Sequence, residues 1–269
     1  MRVALVQMNS QEDKAANLER GEALVAQAAS WGPDLVVLPE LWTYLGSRKR
    51  HAEVAEPIPG ETSALLGRLA VRYGFWLVGG SYLEAEAGTE RAYNTSIVVN
   101  PDGDVVGRYR KLHLFDVEVD GKTYEESATM EPGDEVVVTE LRRALVGLTI
   151  CYDLRFPELY RRLTARGARL VTVPSAFTME TGKDHWDPLL RARAIENQVF
   201  ILAAAQCGSH PPANACYGNT MVVDPWGVIL ARAGYREGVV VADLDLGEQD
   251  RVRRSLPALQ HRRQDLFAF

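Results

Sequence analysis

A thiol, a carboxylate and an ammonium each close an apolar run in this chain. Cys151 follows Leu145-Val146-Gly147-Leu148-Thr149-Ile150, Glu40 follows Leu35-Val36-Val37-Leu38-Pro39, and Lys111 follows Val105-Val106-Gly107-Arg108-Tyr109-Arg110. In open α/β sheets chemistry collects at the carboxyl ends of strands, so these three positions are where reactive groups belong. After Cys151 comes Tyr152-Asp153-Leu154-Arg155-Phe156-Pro157-Glu158, in which Pro157 fixes the entry to a helix. A strand-to-helix turn of this kind exposes a nucleophile and aims backbone N–H groups at whatever it attacks. A thiol nucleophile needs a base. None of the five histidines (51, 113, 185, 210, 261) closes a matching strand, and His113 comes nearest, two residues past Lys111 on the same strand face. A partly buried carboxylate can do the work instead, with a lysine stabilising thiolate or oxyanion. Taken singly each residue has a plainer use: Cys151 as a small core hydrophobe, Glu40 as a helix-start residue, Lys111 as part of a solvated Arg-Tyr-Arg-Lys edge.

The elements that must position these groups repeat. Ala4–Met8 reads against Ala144–Leu148, Gly32–Pro39 against Gly167–Pro174, and Asn94–Gly103 against Asn219–Gly227, in the same order in both halves. Each half reads strand, helix, strand, helix, strand, hairpin. We expect strands near 2–8, 34–39, 75–82, 93–99 and 104–112, with helices near 12–30 and 61–73. In the second half Pro157 to Arg166 reads as a helix, and Asp187-Pro188 as the cap of another running to about Gln198. Trp186 and the stripe from Leu189 to Ile195 are expected in the core, with Arg193 and Glu196 placed to pair. The first two strands are nearly continuous Val/Leu runs, which implies burial on both faces. The expected architecture is a pseudo-symmetric α/β protein with two sheets, a single doubly wound sheet being the alternative.

The chain has 269 residues with 30 basic against 36 acidic side chains, a net charge of −6, and 46% hydrophobic residues. That balance argues against a polyanion partner, so no nucleic acid is expected. No apolar run approaches the roughly 18 residues of a spanning helix, and three cysteines are an odd count for a disulfide framework. The expectation is a cytoplasmic protein with no membrane association. Motifs for nucleotide binding and for a serine triad are missing from the sequence. Cys207-Gly208-Ser209-His210 with Cys216 lacks a fourth metal ligand, so no metal is expected.

Together, Leu38–Trp42 (LPELW), Tyr109–Phe115 (YRKLHLF) and Gly147–Leu159 (GLTICYDLRFPEL) resemble the nitrilase superfamily of carbon-nitrogen hydrolases. The resemblance implies one domain over residues 1–269 with a C-terminal tail at about 250–269. It implies a four-layer αββα sandwich of two mixed sheets, which would account for the internal echo. It also implies a catalytic set of Glu40, Lys111 and Cys151 with a second glutamate. Glu126 of Tyr124-Glu125-Glu126-Ser127 matches, with Glu125 beside it as the other choice. Further strings resemble the Nit branch: SAFT at Ser175–Thr178, AAQCG at Ala204–Gly208, DPWG at Asp224–Gly227 and QHRR at Gln260–Arg263. Asn219-Thr220 departs from the His-Ser expected there.

The implied activity is hydrolysis of a small linear amide to carboxylate and ammonia through a Cys151 thioester. Glu40 is the acid-base group, and Lys111 with the backbone N–H of Tyr152 holds the oxyanion. Arg155, Ser175, Phe177 and Thr178 are candidate substrate contacts; Arg155 alternatively bridges to Asp153 or Glu158. No cofactor is required, the partner is a small-molecule amide, and a homodimer or higher homo-oligomer is expected, with the tail from Leu256 to Phe269 crossing to a neighbour. Deaminated glutathione is the first choice of substrate. A short 2-oxo ω-amide or an N-carbamoyl compound is the alternative, and a catalytically silent binding protein of the same fold is the reading from another class.

Overall fold

The computed structural model describes residues 1–119, 121–210, 214–263 and 265–267. One sheet runs β18 (Gly238–Asp243), β1 (Arg2–Gln7), β2 (Leu35–Val37), β3 (Trp76–Val78), β5 (Ala92–Val99), β4 (Tyr82–Glu84), with β6 (Val105–Arg110) and β9 (Met130–Glu131) also on β5. The second runs β10 (Val138–Glu140), β11 (Leu145–Leu148), β12 (Leu170–Thr172), β13 (Phe200–Ala203), β16 (Met221–Val223), β17 (Ile229–Arg232). Both follow one plan. Three parallel strands carry an antiparallel hairpin on one side, β5–β6 or β16–β17, and an antiparallel strand on the other. That last place is filled by β10 in the second sheet and by the C-terminal β18 in the first. Two ribbons stand outside the sheets: β7 (Asp116–Val119) with β8 (Lys122–Glu125), and β14 (Cys207–His210) with β15 (Asn214–Tyr217).

Side-chain alternation sorts these strands into layers. In β1, Val3 and Leu5 enter the core between the sheets, while Ala4 and Val6 face α1 (Lys14–Ala29) and α3 (Glu61–Tyr73). In β13, Phe200 and Leu202 join that central core, while Ile201 and Ala203 pack against α4 (Pro157–Ala165) and α5 (Met179–Asn197). Each strand is therefore buried on both faces, as its apolar run requires, and each fully buried Leu or Phe contributes roughly 1.5–3 kcal/mol. The result is the αββα sandwich. Two further helices, α2 (His51–Val54) and α6 (Leu246–Ser255), complete the fold.

Three expectations change. The strand expected over 75–82 is two, β3 and β4, because Gly80 takes φ +58 where its Cβ position would lie 2.1 Å from the Pro39 carbonyl. Asp187-Pro188 caps nothing: α5 begins nine residues earlier, on Thr178, whose hydroxyl accepts from Thr181 N–H, and runs through Pro188. Trp186, Leu190 and Ala194 lie in the core, but Ile195 is 48% exposed, since its position falls on the outer side of the helix. Arg193 and Glu196 do pair, at 3.0 Å.

Candidate active site

The carboxyl ends of two parallel strands, β2 and β11, together with the ends of β6 and β8, bring four groups together. Glu40 leaves β2 through Leu38-Pro39, Lys111 directly follows β6, and Cys151 lies three residues past β11. Glu126 comes from the turn after β8, and Glu40, Glu126 and Cys151 line a cleft of about 860 Å³ including its open mouth.

Lys111 is the hub. Its ammonium is 1% exposed and donates to Glu40 Oε1 at 3.0 Å and to Glu126 Oε1 and Oε2 at 2.9 and 2.8 Å. Burial works against its charge, but Glu126 and Glu40 outweigh burial and hold it well above the ordinary lysine range. Glu40, 2% exposed, also accepts from Asn94 Nδ2 at 2.9 Å on Oε1 and from the Ala176 N–H at 2.6 Å on Oε2. Each Glu40 oxygen is thus fixed by a donor while Oε2 keeps further accepting capacity. Glu126 is anchored once more by the Phe115 N–H at 2.8 Å, whereas Glu125 is exposed and lies away from Lys111.

Cys151 sits at φ +46, a left-handed conformation that costs a non-glycine residue on the order of 1–3 kcal/mol. Surrounding groups hold it there. Its N–H donates to the Pro174 carbonyl at 2.9 Å, and the first turn bond after it runs from Asp153 N to Ile150 O. Tyr152 precedes that bond, so its N–H has no partner within the turn. Asp153, fully buried, accepts from Tyr109 OH at 2.6 Å and Ile150 N at 2.9 Å and contacts His113 Nδ1 at 2.7 Å, tying the turn to the strand that ends in Lys111. His113 is spent here, stacked on Phe156 with ring centres 3.6 Å apart. Burial, then the Glu40 carboxylate, push the Cys151 thiol well above its usual range despite Lys111. The resting thiol is therefore protonated, and a group with this environment must lose its proton as it attacks.

Of the proposed substrate contacts, Arg155, Phe177 and Thr178 line the cleft. Arg155 forms neither expected bridge: Asp153 is already engaged, and the guanidinium meets His185 at 3.3 Å and lies over the Phe177 ring at 5.2 Å. Ser175 departs from expectation. It is buried behind the wall with its hydroxyl on the Val173 carbonyl. Asn219 and Thr220 are also outside the cleft; Asn219 binds Arg232 and Thr220 accepts from Ala205 N–H. Their departure from the expected pair alters scaffold. Asn94 and Arg48 were not expected at the site, and His51, His210 and Cys216, weighed from the sequence only as bases or metal ligands, also line the cleft. Asn94 stood in the internal echo, but only as a hairpin start; the loop bearing Arg48 has no periodic signal.

The comparisons agree with this geometry. The carbon-nitrogen hydrolase family matches residues 2–254. A deaminated glutathione amidase from Synechocystis sp. (strain PCC 6803 / GT-S) is 43% identical over 265 residues, 96% of this chain and 97% of that relative. Omega-amidase NIT2 from Homo sapiens is 39% identical over 268 residues, covering 99% of this chain and 96% of its own. The crystal structure of Saccharomyces cerevisiae Nit3, a member of branch 10 of the nitrilase superfamily, superposes with a TM-score of 0.89 at 35% identity, over 98% of this chain and 96% of that one. This chain belongs to the carbon-nitrogen hydrolases of the nitrilase superfamily, enzymes that cleave the C–N bond of amides.

Proposed function

We propose that Cys151, Glu40, Lys111 and Glu126 carry the amide hydrolysis through a thioester. Glu40 takes the thiol proton as Cys151 Sγ bonds to the carbonyl carbon. The carbonyl oxygen becomes an oxyanion held by the Lys111 ammonium and the Tyr152 N–H. Glu40 then returns its proton to the nitrogen as the C–N bond breaks and the amine departs. In the second half-reaction Glu40 accepts a proton from water, hydroxide adds to the thioester carbonyl, and Cys151 leaves and is reprotonated. Glu126 positions Lys111. Buried Lys111 bound to two carboxylates, both lining the cleft with Cys151, is the observation that carries this reading. Because the four groups interact closely, their titrations belong to the cluster.

For the substrate we infer a 2-oxo acid amide, with deaminated glutathione ahead of a short 2-oxo ω-amide. The Ala204–Gly208 and Gln260–Arg263 strings, the 43% identical relative and an arginine in the cleft support that order. A guanidinium grips a carboxylate with two parallel hydrogen bonds, and that of Arg155 belongs to a residue lining the cleft. With a peptide substrate the leaving group is an amine; with a primary amide it is ammonia. Steady-state kcat/KM for both compounds tests the order, because remote contacts used in the transition state make the peptide the better substrate. A clear preference for the short amide refutes it, and hydrolysis of neither refutes the 2-oxo acid class.

The same reading includes one catalytic domain and a cytoplasmic homo-oligomer. Among the described residues no helix is long and apolar enough to cross a membrane. Leu256, Leu266 and Phe267 in the tail are 50%, 63% and 63% exposed, which supports that segment as a packing surface for a second copy. Size-exclusion chromatography with light scattering on the full chain and on a chain ending at 255 checks the assignment.

A further inference from the structure

The cleft carries two guanidiniums, from two separate elements of its wall. Arg155 belongs to the short helical turn that starts at Cys151, and Arg48 opens the turn before α2, in a segment connected to β2. Both line the cleft and both are half-buried. Among the described residues the Arg48 side chain forms no hydrogen bond or ion pair, and that of Arg155 has only the contact with His185 and its two aromatic faces, Tyr152 and Phe177. The acidic groups that face the pocket are already committed, since Glu40 and Glu126 both bind Lys111. His51, beside Arg48, adds no charge near neutrality: burial first, and Arg48 second, bring it down to about 4. Asp116 feels Arg48 only at longer range and is occupied by the Ser127 N–H. Counting Lys111, the site holds three cations against two carboxylates, and two of the cations lack a carboxylate.

An uncommitted guanidinium half out of water is a poor structural element and a good anion receptor. One such group answers one carboxylate. Two, on different elements of a cleft that also holds the nucleophile, answer a substrate with two negative charges. Building on the proposed amidase reading, we propose that Arg48 is a specificity residue that binds a carboxylate on the leaving-amine side of the substrate, while Arg155 binds the carboxylate on the acyl side. Arg155 is fixed by its ring contacts close to the nucleophile and suits the short acyl arm. Arg48 is free to follow a longer and more variable leaving group. A dipeptidyl amine extends about 7 Å from the scissile nitrogen to its carboxylate, at roughly 3.3–3.6 Å per residue, which calls for a receptor on a separate wall.

The test is a cycle between Arg48 and the substrate carboxylate, using three amides of the same 2-oxo acid: the primary amide, the amide of a dipeptide with a free C-terminus, and that dipeptide amide with its C-terminus as carboxamide. In the wild-type enzyme kcat/KM for the free-acid peptide exceeds that for the carboxamide roughly tenfold or more. In Arg48→Met that ratio falls to within about twofold of one, and Arg48→Lys retains part of it. Arg155→Met lowers all three substrates by a similar factor and keeps the ratio. A ratio unchanged in Arg48→Met, a wild-type ratio near one, or a ratio lost in Arg155→Met instead overturns the assignment while leaving amide hydrolysis standing. Hydrolysis of none of the three amides by the wild-type enzyme overturns both.

Discussion

The two halves of this molecule use one frame for different ends. At the carboxyl end of β2 the echo places Glu40, where β12 has Ser175. Glu40 faces the cleft and holds Lys111, while Ser175 is sealed under the wall with its hydroxyl on a neighbouring carbonyl. At the hairpins Asn94 donates to Glu40, whereas its counterpart Asn219 ties Arg232 and the Tyr217 carbonyl within its own half. The strand plan is common and the residues closing the strands are not. In the proposed mechanism one half supplies base, ammonium and second carboxylate, and the other supplies the nucleophile. Neither half holds a complete site, so the chemistry exists only where the two sheets meet. Gln206 stitches this junction by donating to the Glu40 carbonyl and to Ser10.

If that division is right, the first half's strand-end carboxylate should dominate. Glu40→Gln removes the proton acceptor while keeping the Asn94 and Ala176 donors nearby, and kcat should fall roughly 10²- to 10⁴-fold with Tm little changed. Ser175→Ala, at the matching place in the other half, should cost activity far less. Equal losses in the two would dissolve the distinction.

The hairpin asparagines sharpen it. Asn94→Ala removes one hydrogen bond to a charged, buried carboxylate, an interaction of about 1.5–3 kcal/mol, so kcat should fall roughly 10- to 100-fold. Asn219→Gly keeps the left-handed backbone at φ +60 and should be seen in Tm more than in kcat. Comparing both variants by steady-state kinetics and thermal melts would reveal a reversed order.

The smallest effect lies in pH dependence of stability on the side of the cleft built by the first half. His51 is 5% exposed and its pKa is lowered from 6.5 to about 4, by burial and then by Arg48. Below pH 6.5 the unfolded chain takes up a proton that the folded chain refuses. The stability from this group is therefore complete above 6.5 and is lost as pH falls toward 4, with about 1.4 kcal/mol gone between pH 7.5 and 5.5. Urea unfolding at those two pH values should show a correspondingly shallower decline for His51→Gln, and an identical decline would remove His51 from the account.

Much of this arrangement was legible in the residues. Continuous Val/Leu runs announced two-faced burial, and the ordered echo announced two sheets of one plan. The strings around Glu40, Lys111 and Cys151 pointed to one site because each closes a strand. Local rules failed where tertiary contacts decide. Pro188 looked like a helix start, but Thr178 caps α5 and packing carries the helix through the proline. Ser175 looked like a pocket residue because its neighbours are, yet its hydroxyl turns back onto the Val173 carbonyl. Glu125 and Glu126 were indistinguishable until the turn after β8 set one beside Lys111. Arg48 carried no signal, since its meaning depends on which carboxylates other residues have already taken.

The central claim is that an acyl group from the substrate is carried on Cys151. Rapid-quench intact-protein mass spectrometry, with peptide mapping, measures this directly on the wild-type enzyme and on Glu126→Gln, with Cys151→Ala as the reference. The account predicts a mass increase equal to the 2-oxo acyl group, located on Cys151, longer-lived in Glu126→Gln, and absent in Cys151→Ala, which should release no amine. Turnover by Cys151→Ala, or an acyl group mapped to Cys207 or Cys216, would contradict it.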